Sequence, residues 1–539
     1  MSATTTNPGT NPGTNPGAAL PAARPAAGPA VSKRHFMGFM VMVLGMFMAI
    51  LDIQIVSASI SDIQAGLAAS PDEASWVQTS YLIAEIVMIP LSGFLSRLLS
   101  TRVLFTISAA GFTLFSLACA TATSLPVMIG ARAMQGFLGG AMIPTVFATA
   151  FLLFQGPRRA SVSVLIGLTA TLAPTIGPTL GGLLTETFSW HWLFLINVPV
   201  GILIAVVVWN TMDIDRGDPR LLGRFDWIGL GAMAVFLGSM EYVMEEGPRW
   251  DWLDDPTIAA FAAAGTIAAV IFFWRAFTRR DPIVELRAYG DANFAFGSAF
   301  AFIVGIGLYG AVYLIPLFLG RIRGYNSLQI GETMFITGLA MFLAAPIVGR
   351  LSRVLDLRLL LAFGMATTAL AMWMTSELTA QSAFGELWLP LSLRGIGTMF
   401  AMVPVNQLAL GTLPPAMIKN ASGLYNLMRN LGGAVGLALI NTLVIGRSAA
   451  HRLHLSEATN WARPGATQSI DAISGALANR LGDAADHAAL ARVSGMITQQ
   501  ALILAYNDVL VAIAALFALA VPLVLFVKAP RAGAGGGAH

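Results

Sequence analysis

Charge is what this sequence of 539 residues has least of: 11% of it is Asp, Glu, Lys or Arg, where a soluble domain carries about 25%. Lysine occurs only at 33, 419 and 528, so the net charge of +3 rests almost wholly on arginine. No basic patch interleaved with aromatics occurs, which argues against a nucleic-acid surface. There is one cysteine, Cys119, inside an apolar run. It can form no disulfide within the chain and no cysteine-based metal site. The six histidines (35, 191, 451, 454, 487 and 539) include no spaced pair inside an apolar segment. His451 and His454 lie in a polar stretch, where two ligands do not make a metal centre. A P-loop, an HExxH motif and a nucleophile–base pair are also missing, and no soluble catalytic domain is appended. An enzyme is therefore not expected, nor any metal or cofactor. Work done by this chain would have to draw on an ion gradient, where one charge is worth about 2.3 kcal/mol per 100 mV.

Apolar sequence is what it has instead: 56% of the residues are hydrophobic and the mean hydropathy is +0.72. One membrane span needs about 20 mostly apolar residues. Runs bounded by charges, Pro and Gly predict fourteen spans at about 36–60, 76–96, 103–122, 126–152, 160–184, 190–211, 226–245, 257–277, 293–320, 328–349, 358–376, 385–412, 420–446 and 503–527. Continuous runs in lipid must be helices, because each backbone group has to find its partner within the segment. The alternation of a membrane barrel is lacking. The fold class is thus an all-α polytopic membrane protein. Before the first span, three Asn-Pro-Gly units beginning at Asn7, Asn11 and Asn15 and an Ala/Pro stretch predict a disordered tail over 1–35. No basic segment precedes an apolar run there, so it does not read as a signal peptide.

With the N-terminus inside, the inner segments carry twenty Lys and Arg, the outer loops eight, and the spans three (Arg132, Arg394 and Arg429). By the positive-inside rule both termini are cytoplasmic and the span number is even. Residues 90–104, PLSGFLSRLLSTRVL, and 346–360, PIVGRLSRVLDLRLL, share eight residues at an offset of 256. Each copy joins the second span of a half to the third. The expected organisation is a six-helix bundle over 36–211, two linker spans within 212–290, a second six-helix bundle over 291–527 and a cytoplasmic tail over 528–539. Parallel halves around a central site are a transporter architecture.

Particular motifs then point to a family. LDIQIVSASISDIQ (51–64), RAMQGFLGGAMIP (132–144), APTIGPTLGGLL (173–184), WHWLFLINVPVG (190–201) and a Gly/Ala tail ending in His539 resemble those of the EmrB/QacA type of drug:proton antiporter, in the major facilitator superfamily. The resemblance runs from about residue 35 to 539. It implies a major facilitator fold with fourteen spans. It further implies proton-coupled export of amphipathic toxic compounds across a bacterial inner membrane, with a periplasmic EmrA-like adaptor and a TolC-like outer-membrane channel as partners. Two departures stand out. Gln54 and Ser57 stand where the family usually carries Thr and Asn, and Ser96 lies where many facilitators place an acid after the second span. Asp356, in the second repeat copy, is a candidate to stand in for that acid.

Ionisable residues within spans are costly and therefore functional candidates. Asp52, Glu85 and Arg132 lie about eight, nine and six residues from the outer ends of their spans, roughly 9–14 Å deep. Two carboxylates facing one guanidinium leave one acid free to take and release a proton. The competing reading is that Arg132 only locks helices together while the other acid stays protonated. Gln78, Tyr81, Glu85 and Ser92 recur at helical spacing, as a cavity wall or an interhelical seam would. Gln54, Gln135, Arg394, Asn406, Asn426 and Arg429 are further candidates for the substrate cavity, with Asn430, Gly433 and Asn441 on the same stripe as Asn426. Glu241 and Glu332, near span ends, are expected to reach water. Pro174, Gly177, Pro178, Gly181 and Gly182 form the antiporter motif of the resemblance, which would kink and pack the fifth span. Gly93, Arg97, Arg102, Gly349, Arg353, Asp356 and Arg358 are the candidate gating residues of the repeated loops. The outer-facing loop 447–502 mixes charges with short apolar stretches such as Ile473–Leu477, so local helix is expected there, with a partner-docking role or none. Symport of a small metabolite is the competing transport function, against which the Gly-Pro motif argues. A non-transport sensor is the other alternative.

Overall fold

The computed structural model describes residues 31–528, apart from 155–156, 280–281 and 460–462. Residues 1–30 and 529–539 of the two expected tails lie outside the described residues. Every regular element among the described residues is helical. Fourteen helices are long and apolar enough to cross a membrane: span 1 Lys33–Ser57, span 2 Trp76–Leu99, span 3 Thr101–Ala120, span 4 Leu125–Leu153, span 5 Arg158–Thr187, span 6 Trp192–Thr211, span 7 Trp227–Glu246, span 8 Pro256–Thr278, span 9 Ala292–Arg321, span 10 Leu328–Leu351, span 11 Leu357–Thr375, span 12 Phe384–Gly411, span 13 Pro415–Ala458 and span 14 Ala485–Phe526.

Several of these helices start under a polar cap that satisfies an orphan amide. Ser32 accepts from the His35 amide at 3.2 Å, Asp226 from Gly229 at 3.0 Å, Asp291 from Phe294 at 2.9 Å and Asp356 from Arg358 at 2.9 Å. The Ser32 cap puts Lys33–His35 inside the helix rather than in the expected tail.

The helix pairing is the same in both halves. Spans 1 and 5, 2 and 4, 3 and 4, and 3 and 6 pack together; so do 9 and 13, 10 and 12, 11 and 12, and 11 and 14. The halves meet where span 2 packs on span 13 and span 5 on span 10. Span 7, the first linker helix, is no bystander, for it touches both span 2 and span 13. Span 8 packs chiefly on span 7 and turns Ile267, Val270, Trp274 and Phe277 outward, each more than 60% exposed. Such a surface suits hydrocarbon, not water. The chain is a multi-pass membrane protein.

An even number of spans puts Val31 and Lys528 on one face, here the terminal face; the other is the far face. On the far face the expected loop 447–502 is mostly helix. Span 13 runs on to Ala458, Pro464–Leu481 forms a separate helix that includes Ile473–Leu477, and span 14 begins at Ala485. Residues 447–458 alone extend the helix by about 18 Å at 1.5 Å per residue.

Candidate functional site

The first half is built around one buried ion pair. Arg132 Nη1 donates to Asp52 Oδ2 at 2.6 Å, with both side chains fully buried. Asp52 Oδ1 accepts from Gln135 Nε2 at 3.2 Å and from Asn197 Nδ2 at 2.7 Å. Arg132 also donates to the Val77 carbonyl at 3.1 Å and to Gln135 Oε1 at 2.8 Å, and it lies 4.2 Å from the centroid of the Tyr81 ring. Asn197 reaches on to Ser116 Oγ at 3.1 Å. Spans 1, 2, 3, 4 and 6 are thereby tied through one carboxylate. A charge with no water needs this many partners, because desolvation otherwise exceeds the Coulombic gain.

Glu85 is not in that network. It lines a cavity of about 520 Å³ between the halves, a size usual for a small-molecule site. Polar groups come from Gln54 and Ser57 on span 1, Gln78 and Glu85 on span 2, Glu241 and Glu245 on span 7, Tyr309 and Tyr313 on span 9, and Asn430 and Asn441 on span 13. Leu82, Met244, Pro316 and Leu437 add apolar surface. Spans 1, 2, 5, 7, 9 and 10 contribute only positions toward their far-face ends. Four buried oxygens on this wall have no hydrogen-bond partner: Gln78 Oε1, Glu85 Oε1, Glu241 Oε2 and Asn430 Oδ1. Buried polar atoms are nearly always satisfied in native proteins, so this wall is competent to bind a proton or a polar ligand.

The Gly-Pro motif explains why the wall is where it is. A Cβ on Gly177 would lie 2.4 Å from Gln54 Cβ, and one on Gly181 would lie 2.7 Å from the Ile55 carbonyl oxygen. Span 5 therefore lies directly against span 1, two and three residues beyond Asp52, and Pro178 reaches the cavity. Pro174 lies inside the same helix, and Gly182 is buried in it.

Several candidates lie off the cavity. Tyr81 is turned about 40° around the helix from Glu85 and is held over Arg132, fully buried. Gln135 belongs to the Asp52 network. Arg394 donates to Thr337 Oγ1 at 3.1 Å on the flank between spans 12 and 10. Asn406 accepts from the Tyr425 hydroxyl, and Asn426 donates to the Ser422 carbonyl at 2.9 Å. Arg429 packs over Phe147 at 5.7 Å. The stripe on span 13 is thus split: Asn426 and Arg429 turn into the packing between halves, while Asn430, Gly433 and Asn441 line the space. Glu241 corrects an expectation. It is buried, 5% exposed, because span 7 continues to Glu246 wedged between spans 2 and 13. Its partner on the same wall, Glu245, is one turn on. That i, i+4 pair is visible in the sequence and marks one helix face. Glu332, by contrast, is exposed.

Toward the terminal face the halves are closed. A Cβ on Gly93 would lie 2.8 Å from Asn420 Cα, so only glycine admits this approach of span 2 to span 13. Lys419 Nζ donates to the Ser96 carbonyl at 3.0 Å and pairs with Asp215. Asp215 in turn accepts from the Thr101 amide at 3.0 Å, at the start of span 3. Arg97 lies over Phe94 at 5.8 Å and Arg102 over Trp209 at 5.0 Å. Arg353 donates to Ser161, and a Cβ on Gly349 would touch Val164 at 3.0 Å. Asp356 does not stand in for an acid in the first half. It pairs with Arg358 in the first turn of span 11 at 2.8 Å, which holds its carboxyl below the usual range, and it caps that helix. The carboxylate at the equivalent place in the first half is Asp215, brought from beyond span 6.

Fourteen spans, two half-bundles with matching helix pairing and a polar cavity at their interface define a facilitator-type transporter. The Major Facilitator Superfamily profile matches residues 42–437. The chain belongs to this superfamily, in its EmrB/QacA-type drug:proton antiporter branch. It is 43% identical over 475 residues to the colistin resistance protein EmrB of Acinetobacter baumannii, covering 88% of this chain and 92% of that one. It is 29% identical over 499 residues to the multidrug export protein EmrB of Escherichia coli, covering 92% and 96%. Among solved structures, the proton:xylose symporter XylE superposes with a TM-score of 0.56 at 13% identity over 90% of this chain and 95% of that one; this likeness concerns the fold alone.

Proposed function

We propose that this protein is a proton-coupled multidrug efflux permease of the bacterial inner membrane, exporting amphipathic compounds by alternating access. The terminal face is then cytoplasmic, a placement that the excess of Lys and Arg on that side supports, and the cavity beyond the closed terminal side belongs to the outward-facing state. The observation that carries the reading is Glu85, a buried carboxylate with an unpartnered oxygen on the cavity wall, while the neighbouring acid, Asp52, is fully engaged by Arg132. Glu85 is the proton carrier, and substrate and proton contend for the same space. Names of the relatives, EmrB multidrug export and colistin resistance proteins, support export rather than uptake. Everted vesicles test it: an exported compound should release protons in wild type, and Glu85→Gln should reduce that release at least about tenfold. Unchanged release in Glu85→Gln would sink the assignment.

The far-face helical extension, 447–502, is the docking surface for an EmrA-like periplasmic adaptor that leads to a TolC-like channel. Leu453, Leu490 and Met496 are exposed on it, 59%, 40% and 57% respectively, among charges that suit a reversible contact. Shortening the chain between Ala449 and Gln499 should leave vesicle transport intact, abolish co-purification of adaptor and remove resistance in whole cells. A shortened protein that still co-purifies with adaptor would exclude this surface.

A further inference from the structure

Spans 7 and 8 are additions to the two six-helix halves, and they form one stiff hairpin. Arg275 of span 8 donates to Asp226, at the start of span 7, at 2.9 Å. A Cβ on Gly265 would lie 2.9 Å from Ser239 Cβ, so the two helices also touch near mid-length. The hairpin is fastened to the first half over a broad face. Tyr242 stacks on Trp76 of span 2 with centroids 5.4 Å apart, Thr79 Oγ1 donates to the buried Glu246 at 3.4 Å, and Ile83 lies against Gly238. Trp252, just past the end of span 7, packs into the same apolar cluster. A Cβ on Gly247 would lie 2.8 Å from its ring, so glycine is what lets the indole fold back over the helix end.

Toward the second half the fastening is of another kind. Trp252 Nε1 donates to Thr442 Oγ1 of span 13 at 3.1 Å, and that hydroxyl donates in turn to the Ala438 carbonyl at 2.8 Å. The indole is aimed there by a turn in which two successive non-glycine residues are left-handed, Asp251 at φ 53° and Trp252 at φ 59°. A bulky side chain rarely adopts this conformation and keeps it only where its surroundings hold it. Here the holds are the Trp252 amide, which donates to the Gly247 carbonyl at 2.9 Å, and the indole bond across to Thr442.

Spans 2 and 13 touch on the terminal side, where Gly93 meets Asn420 and a Cβ on Gly423 would lie 3.0 Å from the Ile89 carbonyl oxygen. Span 7 enters between them toward the far face. Alternating access requires the far ends to approach and the terminal ends to part. The hairpin, bound broadly to span 2, then moves with the first half, and Thr442 slides past Trp252. A hydrogen bond spans only about 2.7–3.2 Å, so this motion breaks it and frees the left-handed turn to relax.

We propose that Trp252 and Thr442 are a latch of the outward-facing state: the linker hairpin travels with the first half and holds the second half open through this bond. The inference rests on alternating access, as proposed above, but on neither proton coupling nor the substrate.

The test is the access of an impermeant maleimide to two single cysteines, each in a Cys119→Ser background, in full-length protein in lipid nanodiscs. Ser422→Cys, buried on the closed terminal side, reports inward opening, and Ser57→Cys, exposed on the cavity wall, reports outward opening. Trp252→Phe keeps a ring and loses the donor; Thr442→Val keeps the shape and loses the acceptor. A neutral hydrogen bond corresponds to about fivefold in an equilibrium. Each variant should therefore raise the Ser422→Cys rate about fivefold without raising the Ser57→Cys rate. Trp252→Phe/Thr442→Val should match either single variant, since all three lack the same bond. Asp251→Gly should act in the opposite direction and slow Ser422→Cys labelling about twofold or more, because glycine adopts the left-handed turn freely. Unchanged rates in both single variants, a rise at both cysteines together, or additive effects in the double variant would overturn the latch. So would Asp251→Gly shifting the rates the same way as Trp252→Phe. The labelling needs no substrate and no pH gradient. The expected rates with no proton release in everted vesicles would keep the latch and count against the efflux reading.

Discussion

Asp52 and Glu85 lie on adjacent helices of one half, both buried, and they are opposites. Asp52 accepts three side-chain hydrogen bonds, one of them from a guanidinium at 2.6 Å. Glu85 has a carboxyl oxygen with none and a cavity in front of it. Burial of an ionisable group does not by itself identify the group that works. The satisfied acid joins five helices, and the unsatisfied one is free to change its protonation or its partner. On the function proposed above, Asp52 is the positioning residue and Glu85 the exchanging one.

The largest expected effect follows from breaking the satisfied site. Arg132→Ala leaves the Asp52 charge inside the bundle with two amides only. Removing one partner of a buried pair costs about 3–5 kcal/mol, so the midpoint of thermal unfolding in detergent should fall steeply and transport should be lost. Adding Asp52→Asn removes the orphaned charge and should restore much of the midpoint. If Arg132→Ala unfolds like wild type, the five-helix tie is not what holds this half. Arg132→Lys should fall between, since an ammonium cannot reproduce the fork that reaches Asp52, Gln135 and the Val77 carbonyl together.

Glu85→Gln is the complementary change, with a large effect on function and a small one on stability. Neutralising a buried carboxylate that has an unpaired oxygen removes a desolvation penalty, so the unfolding midpoint should stay level or rise, while substrate-driven proton release falls. A Glu85→Gln protein as destabilised as Arg132→Ala would erase the distinction between the two acids.

Much of this was legible in the sequence, and the reasons for the rest are physical. Apolar length located the spans because a membrane imposes a fixed thickness. Asp52, Glu85 and Arg132 stood out because charge within a span is costly, yet depth alone could not say which acid takes the arginine. That choice depends on Asn197 and Gln135, polar residues on spans 6 and 4 that close around Asp52. Gln54 and Gln78 line the cavity, and Tyr81 on the same stripe does not, because an aromatic face beside a guanidinium is drawn to it. Glu241 read as a residue near a span end. The Glu241/Glu245 spacing marks a helix face, but only the packing of span 7 between spans 2 and 13, a tertiary fact, makes that face a cavity wall. Lys419 and Asp215, 204 residues apart, carry no motif that pairs them.

The smallest expected effect separates the two repeat copies rather than the two acids, and it asks whether satisfaction has the same meaning at the gate. In the second copy the carboxylate at the head of the third helix is local: Asp356 caps span 11 and pairs with Arg358 two residues on, both more than a quarter exposed. In the first copy the residue at that place is Ser100, and the carboxylate comes from Asp215, which also holds Lys419 of the other half. An Asn at either position keeps a cap, because Asn and Asp cap about equally well; only the ion pair is lost. For Asp356 that pair lies at the start of one helix and near the surface, where such pairs are worth about 0–1 kcal/mol, and it does not join the halves. For Asp215 the pair is mostly shielded and crosses between them, so its loss should favour opening of the terminal side by about 1 kcal/mol, or roughly fivefold. Ser422→Cys, in a Cys119→Ser background, places a near-isosteric thiol in a buried position one turn from Lys419. Its rate of alkylation by an impermeant maleimide from the terminal face should rise about fivefold with Asp215→Asn and stay unchanged with Asp356→Asn. Equal rates in the two variants would mean that the Lys419–Asp215 pair decorates a closure held by helix packing at Gly93 alone.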